Sequence, residues 1–157
     1  MAKIDQLLEQ YGASHQNATN KLIHWVCVPL IVFSLMGMLM AIPFPVEKTV
    51  FFNWAAVFIL GGLIYYLRLS IPMFLGFILI MGLILFGNYA IYESLAFQNG
   101  TMALVSLGIF AAAWVGQFIG HKIEGAKPSF LEDVQFLMIG PAWLLHFIYK
   151  KVGIRYS

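Results

Sequence analysis

Charge is what this chain has least of. Only 10% of its 157 residues are Asp, Glu, Lys or Arg, where a soluble domain carries about a quarter, which excludes an ordinary water-soluble globule. The net charge is +2 with no basic run, so the electrostatic footprint of a nucleic-acid-binding protein is missing. The single cysteine, Cys27, excludes an intramolecular disulfide and any paired-cysteine motif. It lies inside an apolar run and reads as a packing residue. No HExxH, GxSxG, P-loop or dinucleotide fingerprint occurs, so the enzyme classes those motifs define are not indicated. The polar N-terminal stretch has no apolar h-region, so the first apolar segment is expected to be a retained span, not a cleaved leader. Lipidation motifs, low-complexity tracts and internal repeats are also lacking.

What the chain has is hydrophobicity: 61% apolar residues and a mean hydropathy of +0.85. The expectation is an all-α integral membrane protein forming one domain over residues 1–157. Stretches long enough to cross a bilayer need roughly 17–25 residues. They fall at 22–42, 50–67, 71–92 and 101–120. A fifth apolar stretch, 134–149, is short and interrupted by Gly140-Pro141. Residues 4–11 read as an amphipathic helix outside or on the membrane, with Ile4, Leu7, Leu8 and Tyr11 on one face.

Positive charge then sets the topology. With four spans and a cytoplasmic N-terminus, Lys3, Lys21, Arg68, Lys122, Lys127, Lys150, Lys151 and Arg155 fall inside and only Lys48 outside, a split of eight to one. If 134–149 crossed completely, the split would be five to four. The expected architecture is therefore a four-span bundle with a C-terminal re-entrant or interfacial helical hairpin that bends at Gly140-Pro141. Both termini are expected in the cytoplasm, with the protein in a bacterial inner membrane, or in the endoplasmic reticulum membrane if eukaryotic.

Histidine is scarce too, and all four copies fall at the same predicted end of the bundle. His15 and His24 flank the entry to the first span, His121 closes the fourth, and His146 lies in the C-terminal stretch. Ionisable residues in membrane segments are costly and tend to be functional, and neutral imidazole is the commonest metal ligand. His15-x4-Asn20-x3-His24 would put its two rings on opposite faces of an unbroken helix. They can meet only if the chain turns between them, and Gly12-Ala13-Ser14 and Asn17-Ala18-Thr19-Asn20 supply a stop and a restart. Asn20 reads either as an N-cap or as a partner orienting an imidazole. Trp114-x2-Gln117-x3-His121-x2-Glu124 forms one stripe on a helix face, and Gly116 and Gly120 let another backbone approach it. Glu132-Asp133 suits a helix start, with metal ligation as the minority reading. His24 and His121 are the strongest ligand candidates, because their spans must pack together.

The pattern H-x4-N-x3-H-x4-P followed by W-x2-Q-F-x-G-H-x2-E-x3-P resembles a family of small membrane proteins, formerly a domain of unknown function, associated with iron-dependent 2-hydroxy fatty acid dioxygenase activity. Here it reads His15, Asn20, His24, Pro29, then Trp114, Gln117, Phe118, Gly120, His121, Glu124 and Pro128. The resemblance implies an Fe(II) enzyme that uses O2 to remove the carboxyl carbon of a long-chain 2-hydroxy fatty acid, leaving an acid one carbon shorter. It implies His15, His24 and His121 as metal ligands, with Asn20, Gln117 and Glu124 in supporting catalytic roles. His146 stands near where a carboxylate is expected and is the fourth ligand candidate. Membrane lipid is the surrounding partner, and a homo-oligomer is compatible with the sequence. Two other readings stay open: a haem or electron-transfer bundle using His24 and His121, and a non-catalytic lipid-binding protein whose histidines only anchor the interface.

Overall fold

Asn17 starts the first long helix of the fold. Its side chain accepts the free N–H groups of Thr19 and Asn20, satisfying donors that a helix start leaves open. Helix α2, Ala18–Ala41, follows. The computed structural model describes residues 2–131 and 134–157, which form six α-helices and a short 3-10 helix, with no strand among the described residues. Before α2 comes α1, Lys3–Ala13. After it come α3, Trp54–Leu69, α4, Ile71–Ser94, α5, Asn99–Glu124, the 3-10 helix Ser129–Leu131, and α6, Phe136–Val152. Glu132 and Asp133, expected to open the last helix, lie outside the described residues.

The protein is all-helical and of membrane type: α2, α4 and α5 are long and apolar enough to cross a membrane. At 1.5 Å rise per residue, the 24 residues of α2 span about 36 Å, against about 30 Å of hydrocarbon. The second predicted span is shorter than expected, since the 16 residues of α3 reach about 24 Å. Side chains delay its start. Thr49 Oγ1 accepts from Phe51 N and Phe52 N, and Asn53 Nδ2 donates to Thr49 O and Val50 O. These bonds wind residues 49–53 into a loop, and Asn53 then caps α3 through Ala56 N. Ser70 is the single residue between α3 and α4, and caps α4 by accepting from Met73 N.

Helices α2 and α5 run antiparallel in close contact. A Cβ at Gly120 would sit 2.4 Å from Asn20 Oδ1, one at Gly116 2.6 Å from Cys27 Sγ, and one at Gly37 2.3 Å from Ser106 Oγ. The contact therefore extends from one end of the pair toward the other. The α3–α4 hairpin packs beside α2.

Helix α1 lies on α6, burying Ile4, Leu7, Leu8 and Tyr11 as its periodicity predicts. Together they close the end of the bundle where α2 and α4 begin and α3 and α5 finish. Tyr66 Oη donates to Met138 O at 2.6 Å, and Tyr149 Oη to Pro72 O at 2.6 Å. The expected hairpin turn at Gly140-Pro141 is not formed, because α6 continues through both residues. Packing explains the glycine instead: a Cβ at Gly140 would stand 3.0 Å from Tyr11 Oη, so it admits α1's tyrosine.

At the opposite end, the one cation expected outside is tied down. Lys48 Nζ donates to Met40 O at 3.1 Å and to Asn99 Oδ1, and lies 4.3 Å from the centroid of the Tyr92 ring. Tyr92 Oη donates to the same Asn99 oxygen at 2.7 Å. The ammonium thus joins the end of α2 to the start of α5 and the end of α4. Lys48→Met is expected to lower stability by about 1–2 kcal/mol, measured as a drop in thermal midpoint in detergent, with metal content unchanged.

Candidate metal centre at the closed end

Three histidines from three places in the chain meet beneath α1 and α6. His15 lies in the link between α1 and α2, His24 in the second turn of α2, and His121 in the last turn of α5. They are buried, with 1%, 1% and 6% of their surface exposed. The ring centroids are 4.3 Å (His15–His24), 4.9 Å (His15–His121) and 5.0 Å (His24–His121) apart, and every pair is edge-on. One donor nitrogen of each lies within 4.8 Å of the other two.

Backbone carbonyls fix which nitrogens are available. Nδ1 of His15 donates to Tyr11 O at 2.6 Å, using a carbonyl that the end of α1 leaves unpaired. Nδ1 of His24 donates to Asn20 O at 2.9 Å. A carbonyl can only accept, so each Nδ1 carries the proton and each Nε2 carries a lone pair. Those two Nε2 atoms face one another at 2.9 Å. Two lone pairs at that distance repel unless a proton or cation lies between them. Burial, chiefly, pushes the His15 imidazole down to about 3, with smaller lowering from His24 and His121, so a proton does not fill the gap near neutral pH. His121 adds a buried Nδ1 without a hydrogen bond of normal geometry, a nitrogen that a further partner would satisfy.

The donor set fits a metal ion: three neutral imidazoles, each of two held by a carbonyl on its remote nitrogen, as metal-binding histidines usually are. Two ligands at about 2.1 Å from one ion and at right angles stand about 3 Å apart, close to the His15–His24 separation. No carboxylate belongs to the group among the described residues. Imidazole suits iron, zinc, copper and nickel, and three protein ligands leave positions open for substrate.

Glu124 sits beside the cluster but is already engaged. Oε1 accepts Gln16 N at 2.7 Å, while Oε2 accepts Asn17 N at 2.9 Å and Asn20 Nδ2 at 2.9 Å. The carboxylate therefore fastens the end of α5 to the link that carries His15. The N-cap reading of Asn20 is replaced: Asn17 is the cap, while Asn20 binds Glu124 through its side chain and His24 through its carbonyl.

A small cavity of about 60 Å³ opens beside the histidines, lined by His24, His121, Gln117, Tyr11 and Ser129. Ile31, Val32, Trp114, Leu137 and Pro141 form its apolar side and also line a larger cavity of about 390 Å³ between α2, α3, α5 and α6.

Comparison with known proteins assigns the chain to a family. The profile described as "2-hydroxy-palmitic acid dioxygenase Mpo1-like" matches residues 1–152. The chain belongs to the Mpo1-like family. The 2-hydroxy-palmitic acid dioxygenase MPO1 of Saccharomyces cerevisiae is 30% identical over 148 residues, covering 91% of this chain and 78% of the yeast protein. No solved structure matches the chain.

In this Mpo1-like protein the three histidines that carry the family resemblance converge, and Gln117 faces the same cavity, its side chain reaching His24. His146 stands apart. Its Nδ1 donates to Trp143 O at 2.8 Å, and its ring packs against Phe147 and Tyr156. Four residues that sequence reasoning did not assign to the site complete the surroundings. Tyr11 stacks on His15 at 4.2 Å and 14°, and Trp143 packs against the same ring at 5.2 Å. The Ser14 hydroxyl lies 3.1 Å from His15 Nδ1 and pairs with the Ser129 hydroxyl. The Tyr11–His15 spacing of four residues was a usable helix-face signal. Nothing local pointed to Trp143 or Ser129, because they arrive only through the docking of α6 and the segment before it.

Proposed function

We propose that this chain is an Fe(II)-dependent dioxygenase that shortens long-chain 2-hydroxy fatty acids by one carbon. The observation that carries the reading is the pair of lone-pair-bearing Nε2 atoms of His15 and His24 at 2.9 Å, completed by His121 and open to a cavity. Family membership and the activity named for the yeast relative supply the substrate class. The alternative haem reading has less support: perpendicular rings with centroids 5.0 Å apart leave no slot for a porphyrin between His24 and His121.

In this reading His15, His24 and His121 hold the ion, and bound Fe(II) supplies the activation of O2. The protein does the rest. Tyr11 O and Asn20 O keep both remote nitrogens protonated, so the metal-facing nitrogens stay free. Gln117 donates its amide N–H to the substrate carboxylate, and the Tyr11 and Ser129 hydroxyls, which line the same cavity, orient the 2-hydroxyl. Trp143 and the packed face of α6 exclude water, which limits side reactions. The reaction balances with a single O2: the bond between C1 and C2 breaks, C2 becomes the new carboxyl, C1 leaves as carbon dioxide, and one water forms. The closed end carries Lys3, Lys21, Arg68, Lys122, Lys127, Lys150, Lys151 and Arg155, which supports placing the site and both termini on the cytoplasmic side.

The test is metal removal. Protein purified in detergent is expected to contain near-stoichiometric iron and to consume O2 with 2-hydroxypalmitate. It should lose turnover after chelation and regain it with Fe(II) but not Zn(II). Full turnover in metal-free protein would overturn the reading.

A further inference from the structure

The site beside the histidines is too small for more than a head group. Its cavity of about 60 Å³ shares a neck of lining residues, Val32, Trp114 and Pro141 among them, with the chamber of about 390 Å³. That chamber runs in one direction. Along α2 its lining passes from Ile31 and Val32 to Leu35 and Met36, along α5 from Trp114 to Phe110, and along α3 from Tyr66 to Gly62 and Phe58. In each helix the sequence of positions leads away from the closed end and into the apolar length of the bundle. The lining is apolar throughout, since the hydroxyl of Tyr66 is spent on Met138 O. At ~30 Å³ for a water-sized group, the chamber of about 390 Å³ has room for roughly a dozen methylenes. Phe58 and Leu137, 47% and 45% exposed, sit on its rim, so a chain can enter from the surrounding lipid.

We infer that this chamber holds the hydrocarbon tail of the substrate and that Gly62 sets how long a tail it accepts. The inference rests on the proposed function for the identity of the head group. Gly62 lies part-way along the chamber on α3, and a Cβ there would stand 3.3 Å from Met138 Cε on α6. A large side chain at 62 therefore crosses the space between α3 and α6. The volume is a property of the fold, and the glycine is what keeps it clear. A smaller cavity of about 130 Å³, bounded by Phe77, Ile80 and Ile84, meets the same neck at Val32 and Pro141. It is too short for the tail.

The experiment compares Gly62→Phe and the milder Gly62→Leu with Ile80→Phe, which fills the smaller cavity. Two ratios are measured for each folded variant. One is kcat/KM for 2-hydroxypalmitate over 2-hydroxyoctanoate. The other is equilibrium retention of radiolabelled palmitate over octanoate by metal-free protein. Gly62→Phe is expected to lower both ratios at least ten-fold, Gly62→Leu by less, and Ile80→Phe to leave them unchanged. Unchanged ratios in the Gly62 variants, or a fall produced by Ile80→Phe, would overturn the inference. If the wild type shows no turnover but the retention ratio still falls in Gly62→Phe, the tail chamber stands and the oxygenase reading fails.

Discussion

His24→Ala is expected to purify with about a tenth or less of the wild-type metal and with no measurable turnover. Loss of a residue that merely orients a ligand typically costs 10–100-fold in metal affinity, about 1.4–2.7 kcal/mol, and removing a ligand costs more. The prediction follows from the facing Nε2 atoms of His15 and His24 at 2.9 Å. With one gone, the remaining lone pair has only His121 as company, and two imidazoles hold an ion poorly against water. His15→Ala and His121→Ala should behave alike. His146→Ala supplies the contrast: its ring lies among Phe147 and Tyr156, outside the group, so metal content should be unchanged. Metal analysis of the four purified variants checks this, and wild-type iron in His24→Ala would move the site elsewhere.

Glu124→Ala is expected to weaken metal binding 10–100-fold although the carboxylate belongs to no ligand group. Its oxygens accept three N–H donors, from Gln16, Asn17 and Asn20. Two of these belong to the link that presents His15, and the third to the residue whose carbonyl orients His24. Without the carboxylate the link loosens and the two Nε2 atoms lose their shared point of aim. Glu124→Gln keeps one acceptor oxygen and should recover part of the affinity. The measurement is Fe(II) affinity alongside kcat. A positioning residue changes affinity first, whereas a general base would depress kcat and alter the pH profile while leaving affinity intact. Full affinity with abolished kcat in Glu124→Gln would assign Glu124 to the chemistry itself.

The parts of this molecule legible in its sequence are those decided by local pattern. Long apolar runs mark α2, α4 and α5, because exposing them to water costs too much, and the period of Ile4, Leu7, Leu8 and Tyr11 marks the buried face of α1. The meeting of His15 and His24 was legible because nine residues of unbroken helix forbid it and Gly12-Ala13-Ser14 allow a break. What local pattern could not reveal depends on partners distant in the chain. The start of α3 is set by side-chain bonds of Thr49 and Asn53 that compete with the helix. Gly140-Pro141 has the composition of a bend, yet Tyr11 from the other end of the chain needs that glycine's space. Glu124 lies on the predicted stripe with Gln117 and His121, but only the docked link shows that its oxygens are already occupied.

The pairing of α2 with α5 also has a consequence for synthesis. His15 and His24 emerge early, whereas His121 comes after nearly a hundred further residues, and the cover formed by α6 comes last. A nascent chain halted before α5 therefore carries two imidazoles and no third. Contacts so distant in sequence form late and slowly. On the proposed function, metal capture would wait for a chain that has inserted its last long helix, and incomplete products would be left unloaded.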